Sequence, residues 1–270
     1  MQELAIRRKA MRSGQYAVST SLCADKRFGR YKSEVAQPVR QADVTGTELE
    51  RLRARREMLR SMTPEKALQV IGFHKGLNFF EALELAKREG KLIVPNDVHD
   101  RILNETKDEG YFKENYPVWT GTLVIYEKPD KPFGKKVNFG WRDDNSLKYS
   151  ISFQVPEQFR GKTNCALIVE HPDFERVDLG NNKFEIRATD EFHLIEHFPK
   201  KSGLYMPDAE TKIPHGRKVK ESSDAGYLLR SHKAYLGSLV RDHIYWNDDY
   251  GRRYVHTDLV WSYDSGVAFF

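Results

Sequence analysis

The sequence contains no recognisable catalytic motif and no Gly-rich phosphate loop. Cysteine is scarce. Cys23 and Cys165 are the only two, and their separation matches no metal-binding pattern. They read as two free thiols in a reducing compartment, which excludes a disulfide-stapled scaffold. No apolar run approaches membrane-spanning length. The early residues Arg7, Arg8, Lys9 and Arg12 are followed by no long apolar stretch, so no signal peptide is expected. Location is therefore expected to be cytoplasmic, or on a virion or cell envelope to which another protein carries the chain. Internal repeats and low-complexity tracts are also missing. The net charge is only +5. An argument for nucleic acid from bulk charge would need a clustered excess. What is present is ordinary globular material: 270 residues, 39% hydrophobic and 12% aromatic. That is enough for one large domain or two small ones with a substantial core.

Along the chain, residues 1–44 are polar and Arg-rich and read as an extended arm. Thr47 and Glu50 have capping-box spacing and open a helix to about Arg60. Leu49, Leu52, Met58 and Leu59 form its apolar stripe; Arg51, Arg53, Arg55, Arg56 and Arg60 occupy the rest. A basic helix can neutralise phosphates, but no aromatic residues are interleaved for base stacking. The arm and this helix, 1–62, are expected to precede a domain spanning 63–270. Thr63-Pro64-Glu65 starts a second helix, with Gly72 as its stop. Asn78 caps a stronger one, FFEALELAKREG, ended by Gly90. Leu92-Ile93-Val94 reads as a short strand, and Asn96 or Asp97 starts another helix. His74 and His99 are isolated and are not expected to be ligands.

From Pro117 the period changes to that of antiparallel sheet. VWTGTLVIYEK and KKVNFGW are expected to form a hairpin across PDKPFG. LKYSISFQV, CALIVEH and KFEIRA are further strands, with a turn at Gly180-Asn181-Asn182. Asp190 is expected to cap a helix, EFHLIEHF, that puts His193 and His197 at i and i+4. Zinc helices use that spacing, but here Glu196 adjoins the second histidine, and a polar helix face is the expected reading. Residues 199–223 read as loop, a last helix or turn falls near Asp224 to Tyr227, and the C-terminal stretch supplies the final strands.

That stretch has an absence of its own. The last Lys is Lys233, the last Glu is Glu221, the last Met is Met206 and the last Gln is Gln158. These four types make up about a fifth of the chain, so roughly seven would be expected after Lys233, and there are none. Aromatic closing strands would not explain why Asp, Asn, His and Tyr remain plentiful. The genetic code does. An AAC or AAT codon with randomised adenines yields Asn, Asp, His, Tyr, Ser, Thr, Ile or Val, and never Lys, Glu, Gln, Met or Trp. Trp246 and Trp261 are encoded without adenine and would be untouched.

Leu236 to Phe270 thereby resembles the C-terminal variable region of the variable proteins of diversity-generating retroelements, closing on a G-V-x-F-like strand at Ser265-Gly266-Val267-Ala268-Phe269. The resemblance implies an α+β chain with a C-type lectin-like fold of the formylglycine-generating-enzyme type: mostly antiparallel strands and a few flanking helices. It implies a variable region at about 236–270. Trp246, Gly251, Arg252, Trp261 and Gly266 would be scaffold. Asp242, His243, Tyr245, Asn247, Asp248, Asp249, Tyr250, Tyr254, His256, Asp258, Tyr263 and Asp264 would form a ligand-binding surface. Tyr gives rigid contact area, while Asp, Asn, His and Ser give adaptable hydrogen bonds, as in antibody paratopes.

The expected function is ligand binding without catalysis, toward an unknown protein or glycan. No cofactor and no metal are called for, nucleic acid is not the expected partner, and no membrane span is expected. Two other readings compete. One is a metal-assisted hydrolase using Asp248, Asp249, Asp258 and His256 or His243, although no HxxxH or DxD spacing organises that cluster. The other is a nucleic-acid-binding protein using the arginine helix at 48–60. A calcium-dependent lectin with acidic ligands near 248 is a variant of the first reading.

Overall fold

The computed structural model describes residues 46–106, 118–142, 148–189, 191–201, 203–218, 227–229, 236–242, 253–256 and 266–270. In chain order the elements are α1 (Gly46–Ser61), α2 (Pro64–Val70), β1 (Gly72–Lys75), α3 (Phe79–Glu89), α4 (Asn96–Glu105), β2 (Val118–Tyr126), β3 (Lys136–Arg142) and β4 (Lys148–Gln154). There follow β5 (Ala166–Glu170), β6 (Phe174–Gly180), β7 (Lys183–Ala188), β8 (His193–Ile195), β9 (Gly203–Pro207) and β10 (Pro214–Lys218). The last are β11 (Tyr227–Leu229), β12 (Leu236–Asp242), β13 (Arg253–His256) and β14 (Gly266–Phe269). The fold is α+β. Its strands form a ten-stranded sheet, with the path β1-β14-β2-β12-β13-β11-β9-β10 and β5 and β8 branching from β2, and a four-stranded sheet, β3-β4-β7-β6. Most of the pairs are antiparallel; β2 with β14, β4 with β7 and β11 with β13 are parallel.

β2 organises the core because it is buried from end to end. Its alternation sends Trp119, Leu123 and Ile125 into a cluster with Phe79 and Leu83 of α3 and with Ile151, Phe153 and Phe184 of the smaller sheet. Val124 and Tyr126 point into a second cluster with Ile168, Ile195, Tyr205 and Ile213. A third cluster joins Leu52 and Leu59 of α1 to Ala67, Leu92, Val94, Ile102 and Ala268. A strand with apolar layers on both sides is buried on both faces. α1 belongs to a compact unit that runs from Val44 to Phe270.

Local chemistry accounts for several elements. Asn78 and Glu81 form a reciprocal capping box, and Gly90 ends α3 in the left-handed region at φ 59°. Asn181 and Asn182, at φ 53° and 58°, turn β6 into β7. Thr63 caps α2, with Pro64 opening it.

Five expectations need correction. α1 begins at Gly46, so Thr47 stands inside its first turn. β2 and β3 do not form a hairpin: β2 enters the large sheet and β3 pairs with β4 in the small one. The connection is held elsewhere, because Phe133 exchanges backbone hydrogen bonds with Gly161 and Lys162. Leu92-Ile93-Val94 is no full strand; only Ile93 forms a bridge, to Phe269. No helix holds His193 and His197. His193–Ile195 is strand β8, paired with β5, and His197 has φ 56°. An open strand edge took that segment over its helical period. Finally, 199–223 is not all loop, since β9 and β10 pair there with Pro207 opposite Pro214 at the strand ends, where proline costs no ladder bond.

Candidate functional site

The described parts of the C-terminal stretch are strands held on both edges. β12 lies between β2 and β13, β13 between β12 and β11, and β14 between β1 and β2. Their registers meet at one level. Val118 at the start of β2 is opposite both Arg241 and Gly266, and Asp242 is opposite Tyr254. The end of β12 and the starts of β13 and β14 therefore converge at one end of the sheet. Of the sequence-derived surface residues, Asp242 closes β12, and Tyr254 and His256 belong to β13, with His256 opposite Val240. Gly266 of the scaffold set opens β14 and is buried. His243, Tyr245, Asn247, Asp248, Asp249, Tyr250, Asp258, Tyr263 and Asp264 lie outside the described residues, as do Trp246, Gly251, Arg252 and Trp261.

The arginine helix is engaged within the protein. Arg51 and Arg55 each donate to the Gly90 carbonyl at 3.1 Å, placing cations at the C-terminal end of α3. Arg53 Nε donates to Asp173 Oδ1 at 2.7 Å, and Arg56 Nη1 to Asp173 Oδ2 at 2.5 Å. Asp173 is thus clamped by two guanidiniums while nearly fully buried. Arg60 donates to both Asp97 oxygens, at 2.9 and 3.2 Å, and to Glu170 at 2.6 Å. Arg101 of α4 in turn donates to the Leu59 and Arg60 carbonyls at the end of α1. Burial works against the Arg60 charge, yet the hydrogen bond to Asp97 and the charges of Glu170 and Asp97 hold its pKa above the ordinary arginine value. The Glu170 carboxyl is pushed up by burial, against the pull of Arg60.

Arg56, Arg60, Asp97, Glu170 and Asp173 line an open cleft of about 600 Å³ that also takes in Phe192, His193, Glu210 and Thr211. His193 stands between two carboxylates, with Nδ1 3.1 Å from Glu210 and Nε2 3.6 Å from Asp208. Asp208 is itself bound by the Glu210 and Thr211 N–H groups and the Thr211 hydroxyl. The cleft is mostly a set of ion pairs already made. Among the described residues no group of three or more His, Cys, Asp or Glu side chains is placed to hold a metal ion.

Sequence reasoning missed a junction at Gly121. The edge of β2 serves three partners in turn: β14 at Val118 and Trp119, the Val94 carbonyl at the Gly121 N–H, and β5 from Thr122 onward. Residues 92–94 form a wedge in that fork. Leu92 and Phe270 exchange N–H···O bonds of 2.8 and 2.9 Å, and the Val94 N–H donates to Ala268 at 3.0 Å. His171, just past β5, closes the wedge. Its N–H donates to the Gly121 carbonyl at 2.7 Å, and its Nδ1 accepts from the Ile93 N–H at 3.2 Å. Burial drives the His171 pKa down to about 4, with Asp173 opposing and Arg56 adding. A Cβ at Gly121 would sit 2.3 Å from the Ile93 carbonyl oxygen, which explains the glycine. An isolated histidine before a proline offered no period or spacing by which to find this.

Comparison with protein-family models, with curated proteins and with solved structures finds no match to this chain.

Proposed function

We propose that the chain is a binding protein that presents a diversified C-terminal surface on a C-type lectin-like scaffold, with a protein or glycan as ligand. One observation carries the reading: after Lys233 the sequence uses no Lys, Glu, Gln or Met, yet remains rich in Asp, Asn, His and Tyr. The described framework supports it. β12, β13 and β14 are hydrogen-bonded on both edges, so the residues joining them can vary while the strands keep their seats. A rigid sheet also loses little order on association. Large phenolic side chains and short polar ones on such a platform supply contact area and adaptable hydrogen bonds.

The competing readings have less support. All five arginines named from α1 are bound to carboxylates or carbonyls of the protein itself, so phosphate binding by that helix would have to break these contacts. A hydrolase would need a ligand set organised from the C-terminal Asp and His residues, and their spacing supplies none.

The test is the flanking DNA. We expect a near-copy of the segment encoding Leu236–Phe270 that differs chiefly at adenines, beside a reverse transcriptase gene. A C-terminal coding segment that varies between copies of the gene no more than the rest, with no such near-copy, would overturn the proposal.

A further inference from the structure

We propose that His171 is an acid-sensitive latch: as a neutral acceptor it locks residues 92–94, and through them the end of β14, against β2 and β5, and on protonation it releases them. The proposal stands apart from the ligand-binding reading and can fail without it. The geometry is that of a single exchangeable contact at a three-way fork. Leu92 and Val94 hold the wedge to β14, Gly121 holds Val94 to β2, and the Ile93 N–H has His171 Nδ1 as its acceptor. Protonation turns that nitrogen into a donor facing another donor, in a site with His171 only 7% exposed. A buried donor left without an acceptor is costly.

Each charged group near the ring has an ion-pair partner elsewhere. Asp173, at the start of β6, is clamped by Arg53 and Arg56 of α1. Glu170 of β5 is held by Arg60 through Oε2 alone, its Oε1 accepting no hydrogen bond, and Lys91 at the start of the wedge pairs with Glu89 at 2.7 Å. Phe174 packs edge-on to the imidazole at 6.2 Å. Leu92, Ile93, Val94, Thr120, Gly121 and Thr122 do not titrate. A carboxylate free to swing in and stabilise an imidazolium is not among these neighbours.

The sign follows from the depressed folded-state value. Above pH 6.5 both the closed and the opened histidine are neutral and the latch contributes fully. Between pH 6.5 and about 4 only the opened state takes up the proton, so closure weakens as pH falls. The opening equilibrium should rise roughly tenfold per pH unit across that window.

The experiment is amide hydrogen exchange on the full chain from pH 7.5 to 4, corrected for intrinsic rates. We expect protection of the Leu92, Ile93, Val94 and Phe270 amides to fall by roughly that factor per pH unit, ahead of the β3–β4 amides. In His171→Asn the side-chain oxygen replaces Nδ1 as acceptor and cannot protonate, so the pH dependence should vanish while protection at pH 7.5 persists. Wild-type protection at those four amides unchanged down to pH 4 would overturn the proposal, as would a wild-type response retained in His171→Asn. Should that variant not fold, the ¹⁵N signal of the wild-type ring decides. Its Nδ1 must lose acceptor character over the same pH range in which the Ile93 amide shifts, and an Ile93 amide indifferent to that titration sinks the idea.

Discussion

Asp173 is a buried anchor of polar order that sequence reasoning passed over. It is 1% exposed and receives Arg53 and Arg56 from a helix 117 to 120 residues earlier. Replacing Asp173 by Asn takes from both guanidiniums their closest carboxylate, a buried one, and leaves them only the longer contacts to Glu57, Glu170 and Glu191. We expect a loss of roughly 3–5 kcal/mol in denaturant unfolding. Removing Arg53 and Arg56 as well should return part of it, because part of the penalty comes from guanidiniums held beside a buried site that no longer carries a charge. Gly121 is the second critical residue. Gly121→Ala forces a methyl group against the Ile93 backbone, which cannot swing aside as a long side chain would. The expected cost is about 1–3 kcal/mol, with loss of amide protection concentrated at residue 121 itself and at His171, whose N–H groups donate to Val94 and to residue 121. The sequence names both residues but discloses neither role. The partners of an aspartate after a proline, or of a glycine inside a strand pattern, become visible only when distant segments meet.

At the scale of elements, legibility followed how local the determining interaction is. α3 was readable because its cap, its apolar face and its terminating glycine all lie within thirteen residues. Asn78→Ala should cost roughly 1 kcal/mol in thermal or denaturant unfolding, and Asn78→Gly only a few tenths. A cost near zero for the alanine would mean that burial alone defines the start of the helix. β8 was not readable. EFHLIEHF has a helical period, but the edge of β5 takes His193–Ile195 as a partner, and backbone hydrogen bonds to an open edge outweigh a short helix with a weak nucleus. β6 was missed for a different reason. Only Phe174 of its seven residues is buried and Leu179 is exposed, so no period-2 signal exists. The arginine helix combined both situations. Its existence was legible, whereas the destination of each guanidinium depended on Gly90, Asp97, Glu170 and Asp173, contributed by three other parts of the chain.

For the whole molecule the sharpest expectation concerns the C-terminal stretch. If it is a varied surface on a fixed frame, its two residue classes must differ in cost. On that reading Trp246→Ala or Trp261→Ala, each removing a scaffold aromatic, should lose roughly 3–5 kcal/mol. Asp248, Tyr250, His256 or Tyr263 changed to Ala or Ser should stay within about 0.5 kcal/mol, as exposed positions do. Denaturant unfolding of the six single variants reads both sets. Polar replacements as costly as the tryptophans would assign those side chains to a buried network and remove the physical basis for a display surface.

The sequence alone determined the residue usage of the C-terminal stretch, the capped helix α3, the Asn181-Asn182 turn and the apolar alternation of β2. Each of these is written in composition or in spacing over a few residues, where local sterics and hydrogen bonding act without help. Tertiary structure decided which sheet each strand enters, that β2 is buried on both faces, that the Arg-rich helix is spent on internal carboxylates, and that β14 is seated between β1 and β2 with residues 92–94 wedged beside it. Those outcomes depend on which edges and charges remain unpaired once the local elements have formed, and that competition is settled among segments as much as two hundred residues apart.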